Sequence, residues 1–161
     1  MPSPAPGSTD DVLFYAPLRP VARALCGTLS PNAITLVGIV PSALVVVAIA
    51  QRKVALALAA FVVRYVFDCL DGSVARECGQ TSDVGRWLDW AVDAVQTVAI
   101  VAALAATYTD VSPLLAGAAA AAMIPCATRG ALLVHDDLFL WEFGLLLGAL
   151  TLGEHSIHSR E

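Results

Sequence analysis

Apolar residues along this chain come in long blocks instead of strict alternation. From about 33 to 50 it reads AITLVGIVPSALVVVAIA without a charge, entered through Ser30-Pro31-Asn32. Ser or Asn ahead of an apolar run, with Pro at the first turn, is a helix-start pattern. Gln51-Arg52-Lys53 makes a polar turn. A second block covers 54–67 and continues as helix into polar sequence near 76, and 77–84 form a loop. Further blocks cover 85–108, 114–134 and 138–152, with a turn at 109–113. Uncharged or nearly uncharged runs of this length match the thickness of a bilayer. The pattern predicts an all-α integral membrane protein, a bundle of about five transmembrane helices.

Residues 11–30 differ, mixing Leu13, Phe14, Tyr15, Leu18, Val21 and Leu25 with Arg19 and Arg23. This predicts an N-terminal interfacial amphipathic helix, with apolar residues towards lipid and arginines towards phosphates. Pro17 and Pro20 are expected to break it, and a plain linker is the alternative. Residues 1–10 read as a disordered leader, 11–153 as one membrane domain and 154–161 as a loose tail that includes His155 and His158.

Composition agrees with a lipid environment: of 161 residues, 58% are hydrophobic and 14% charged, with mean hydropathy +0.74. Soluble domains carry roughly 25% charge. Nine Lys and Arg, forming no basic run, leave no footprint for nucleic acid. The bias to Arg, with abundant Ala, Val and Leu, points to a GC-rich bacterial genome, and the expected location is a bacterial plasma membrane. Cys26, Cys69, Cys78 and Cys126 form no CxxC pair and read as small apolar residues. An inside N-terminus places Arg19, Arg23, Arg76, Arg86 and Arg129 on the cytoplasmic side, and leaves Arg52, Lys53 and Arg160 outside.

The chemistry concentrates in DCLDGSVARECGQTSDVGRWLDWAVD, residues 68–93. Asp68 and Asp71 share one helix face, and Asp89 and Asp93 share a face of the next helix. Four acids beside apolar spans repel one another and are costly at low dielectric, unless cations bind them. All-oxygen ligands favour Mg²⁺ or Mn²⁺, and a two-ion site of this kind calls for a phosphate or diphosphate substrate. Gly72 and Gly85 would let a ligand approach the backbone closely, and Ala75 extends the groove beside Gly72. The plainer alternative is a set of solvated helix-end carboxylates.

Read as Asp-x2-Asp-Gly-x2-Ala-Arg-x8-Gly-x3-Asp-x3-Asp, this stretch resembles the CDP-alcohol phosphotransferase signature at every specified position. YAPLRPVARAL and LSPNAITLVG resemble the family's interfacial helix and first span. The resemblance covers about residues 14–107 well and the remainder loosely. It implies metal-dependent transfer of a phosphoalcohol group, here phosphatidyl from CDP-diacylglycerol, to a small polar alcohol with release of CMP. Carried over by position, Asp68, Asp71 and Asp89 are metal ligands. Asp93 takes the proton of the attacking hydroxyl while lying beside two ions. Asp68, Gly72, Ala75 and Gly85 face the cytidine, and Asn32 closes that pocket or caps its helix. Arg76 contacts the nucleotide or pairs with an aspartate. Arg64 and Arg129 are candidates for the acceptor, with an ion pair to a carboxylate the alternative for Arg64.

The resemblance also implies a homodimer, the donor and acceptor alcohols and the bilayer as partners, and a site facing the cytoplasm. Two departures stand out. Relatives have six spans where this chain has room for five, and Ala94 follows Asp93 where relatives that act on phosphorylated acceptors carry Lys or Arg. Three other readings compete: transfer of a polar head group from its CDP ester to a lipid alcohol, a truncated non-catalytic nucleotide- or lipid-binding relative, and an ion pathway.

Overall fold

The computed structural model describes residues 6–108 and 138–158, and every regular element among them is a helix. A π-helical turn, Asp11–Tyr15, leads into α1, Ala16–Leu25. Then come α2, Pro31–Val37, and α3, Ile39–Ala50. The longer helices are α4, Val54–Glu77, α5, Asp83–Thr107, and α6, Leu138–His158.

A helix is present within the stretch 11–30 as α1, and neither proline breaks it. Pro17 occupies the first turn, where an N–H has no intrahelical partner anyway, and Pro20 lies only one turn on. One face of α1 buries Ala22 completely, while Val21 beside it is exposed. The turn before α1 is anchored by polar contacts. Tyr65 of α4 donates to Asp10 Oδ2 at 3.0 Å, and Arg19 pairs with Asp11 at 3.0 Å.

The stretch expected as one helix over 33–50 is two segments joined at Gly38. Pro41 is the cause: it has no N–H for the Val37 carbonyl, and its ring crowds that oxygen. The Gly38 carbonyl instead accepts Ser42 Oγ at 3.0 Å. At the start of α2, Ser30 Oγ accepts the Ala33 N–H at 3.2 Å. Ser30 is therefore the cap, not Asn32.

Pro31–Ala50 and Asp83–Thr107 are long and apolar enough to cross a membrane. The expected second span lies within α4, where Arg64, Asp68 and Asp71 interrupt the apolar run, and the expected fifth lies within α6. The expected fourth, with Arg129, falls outside the described residues. Of the expected bundle of about five spans, two candidate spanning helices are seen among the described residues. Val40, Val47, Val95 and Val98 point outward from these two helices, as side chains facing lipid do.

Packing differs at the two ends. At one end, Val45, Ala48 and Ile49 of α3 meet Ala57, Ala60 and Phe61 of α4, Ile100 and Leu104 of α5, and Leu146, Ala149 and Leu150 of α6. Lipid tails are as apolar as these side chains, so close approach through alanines supplies the attraction. Tyr108 fastens α6 here. Its hydroxyl donates to Glu154 at 2.9 Å, and its ring fills the space a side chain at Gly153 would need. At the other end, Ala22, Ile34 and Val74 join α1, α2 and α4. α3 packs against both α4 and α5, and α2 does the same, so this kinked pair bridges the two longest helices.

One expectation about cysteine is corrected. Cys69 is a buried free thiol, but Cys26 and Cys78 form a disulfide with Cα atoms 5.5 Å apart. The two lie 52 positions apart, so only the return of α1 over the end of α4 brings them together. Arg23 and Glu77 pair at 2.7 Å across the same junction. Replacing Cys26 by Ser, or reducing the bridge, is expected to cost about 2–4 kcal/mol of stability. Denaturant unfolding in detergent with and without reductant measures it, and the C26S protein should then be insensitive to reductant.

Candidate active site

α4 and α5 run antiparallel, joined by a short loop that turns at Gly79 with φ of 63°. Ser82 caps α5 by accepting the Gly85 N–H at 3.0 Å. The polar end of α4 therefore faces the first turns of α5, and the aspartates that are separate pairs in the sequence meet in space.

Asp68, Asp89 and Asp93 each offer a carboxylate oxygen, and these three atoms lie within 4.8 Å of one another. Asp71 is 4% exposed and is turned to α2, where its Oδ2 accepts Thr35 Oγ1 at 2.5 Å. It lines the same pocket as Asp68, Asp93 and Arg64. The donor set suits a hard divalent cation: all ligands are oxygen, and their charges are mutually repulsive without one. Asp89 supplies a second indication, because its Oδ1 is buried without a hydrogen-bond partner. A buried acceptor left in that state is costly unless something positive occupies the space before it.

Arg64, 4% exposed on α4, donates through Nε to Gln96 Oε1 at 2.7 Å and through a terminal nitrogen to Asp93 Oδ1 at 3.1 Å. Of the two roles open to it from sequence, the ion pair to a carboxylate is the one observed. Arg76 lies over the Tyr15 ring, 5.2 Å from its centroid. Its guanidinium also covers Gly72, passing 3.2 Å from where a Cβ would be. Asn32 reaches Gly85: its Oδ1 lies 3.3 Å from the position of an added Cβ there. Ala75 stands one turn along α4 from Gly72, half-buried.

Sequence reasoning missed three residues at this site. Thr35 lies one turn after Asn32, on the same side of α2. Gln96 continues the Asp89–Asp93 face by one more turn, so helical spacing alone pointed to it. Tyr15 had no sequence signal, because its approach to Arg76 depends on how α1 packs.

Among the described residues every element is a helix, and apolar helices with a carboxylate cluster at the meeting ends of α4 and α5 suit a membrane-associated enzyme. The sequence model of the CDP-alcohol phosphatidyltransferase family matches residues 28–142, and the chain belongs to that family. Its function is accordingly that of a transferase acting on a CDP-alcohol. No curated protein and no solved structure matches the chain.

The Thr35–Asp71 contact makes a testable demand on stability. Thr35→Val deprives a buried carboxylate of its hydroxyl donor and is expected to destabilise the metal-free protein by about 1–3 kcal/mol. Thr35→Ser keeps the hydroxyl and should lie close to wild type in the same unfolding measurement.

Proposed function

We propose that this chain transfers a phosphatidyl group from CDP-diacylglycerol to the hydroxyl of a small, non-phosphorylated polar alcohol and releases CMP. The observation that carries this reading is the convergence of Asp68, Asp89 and Asp93, with Asp71 beside them and Asn32 against Gly85. Two features favour an acceptor without phosphate. Ala94 follows Asp93, and Arg64, the buried cation nearest the cluster, is engaged by Asp93 and Gln96.

In this reading Asp68, Asp71, Asp89 and Asp93 would hold Mg²⁺ or Mn²⁺, two ions when the site is full. Bound there, the cations supply positive charge to the donor diphosphate and to the departing CMP. Gly72, Ala75 and Gly85 admit the cytidine, which Asn32 closes over, and Arg76 lies where it can reach the nucleotide. Asp93 accepts the proton of the acceptor hydroxyl as its oxygen bonds to the lipid-side phosphorus. The bond from that phosphorus to CMP breaks, and the electron pair leaves with CMP. The site works at the membrane surface, facing the cytoplasm, in a chain that pairs as a homodimer.

Purified protein in detergent should release CMP from CDP-diacylglycerol only with a divalent cation and one of a panel of alcohols, and chelation should abolish release. Asp93→Asn is expected to lower kcat by about 10²–10⁴-fold. CMP release from a CDP-linked head group onto diacylglycerol, with none from CDP-diacylglycerol, would reverse the assignment of substrates. Orientation has its own measurement. In intact cells a membrane-impermeant maleimide should fail to label a Q80C variant, whose exposed position lies in the loop between α4 and α5, and should label it after permeabilisation.

A further inference from the structure

Arg64 pairs with the proposed base, and its geometry is specific. It stands on α4 one turn before Asp68, almost fully buried. Two different nitrogens of its guanidinium donate to two residues of α5, Nε to Gln96 and a terminal nitrogen to Asp93. Those acceptors are themselves one turn apart on one face of α5. Phe61, a turn earlier on α4, lies beneath the guanidinium with its ring centroid 5.6 Å away. A planar cation held at two edges and one face has little freedom to rotate, and neither has the carboxylate it grips. A lysine offers a point charge without that plane, and so cannot reproduce the fork.

We propose that Arg64, oriented by Gln96, is a positioning residue that fixes the Asp93 carboxylate towards the metal-binding face and takes no part in binding the acceptor. This rests on the reading of Asp93 as the base and a cation ligand. Arg64 touches neither hydroxyl nor phosphate; it acts through Asp93. Gln96 matters because it sets the plane of Arg64, so its removal weakens the same device from one step further out.

The test uses the full chain in detergent with steady-state kinetics, and Mn²⁺ electron paramagnetic resonance as a readout independent of turnover. A carboxylate displaced by about 1 Å is expected to lose on the order of 10²-fold in rate, so R64Q should lower kcat by that factor. Q96L should lower it by roughly 10-fold, the lower end for a residue that supports a ligand. Both should leave the acceptor KM within about threefold of wild type, and the double variant should be no slower than R64Q. A raised acceptor KM with kcat retained in R64Q would place Arg64 on the acceptor and overturn the proposal. So would a Q96L protein indistinguishable from wild type. R64K keeps the buried charge paired and carries the test if R64Q does not fold; wild-type kcat in R64K overturns the clamp, and a lowered kcat with acceptor KM unchanged supports it. A wild-type chain that releases no CMP counts against the proposed function and not against the clamp. The resonance decides the latter: R64Q and Q96L should change the line shape of bound Mn²⁺, and an unchanged line shape in both sinks it.

Discussion

Carboxylates at the edge of a bilayer repel one another and lose hydration, and this chain gathers four of them at the meeting ends of two helices. Left alone, such a group would push α4 and α5 apart or give up its charge. The surrounding residues read as answers to that problem. Thr35 donates to Asp71, Arg64 pairs with Asp93, and the unpartnered Asp89 Oδ1 is left facing the cluster. The neutralisation is partial. What the protein does not supply, a divalent cation can.

The same constraint accounts for the shape of the bundle around the site. α4 and α5 are bridged by the kinked α2–α3 pair, which packs on both. The break at Gly38, imposed by Pro41, divides this pair by task. α3 enters the alanine-rich apolar end, and α2 brings Asn32 and Thr35 to the aspartates.

α1 is tied to α4, the helix that carries Asp68 and Asp71, by several kinds of bond at once. The Cys26–Cys78 bridge and the Arg23–Glu77 pair hold its C-terminal end to the end of α4, and Ala22 packs between them. Its N-terminal approach is held by Tyr65 on Asp10. Tyr15 then comes to rest under Arg76, which covers Gly72. α1 is thereby coupled to the groove proposed for the nucleotide.

Much of this was legible along the chain. Uncharged blocks identified the apolar helices, and helical spacing placed Asp68 with Asp71 and Asp89 with Asp93. The residue types at those positions named the chemistry, because hard oxygen ligands select hard cations. These are local properties: period, length and side-chain type depend only on neighbours in sequence. The tertiary structure decided which of two roles Arg64 plays, that Asp71 turns to Thr35, and that Gln96 and Tyr15 stand at the site at all. It also decided that Cys26 meets Cys78, and which helices are apolar enough along their full length to cross the bilayer. Each of these depends on how one helix is rotated and set against another, and a few degrees of rotation exchange one side-chain partner for the next. The one-dimensional pattern carries the face of each helix; only packing chooses what that face meets.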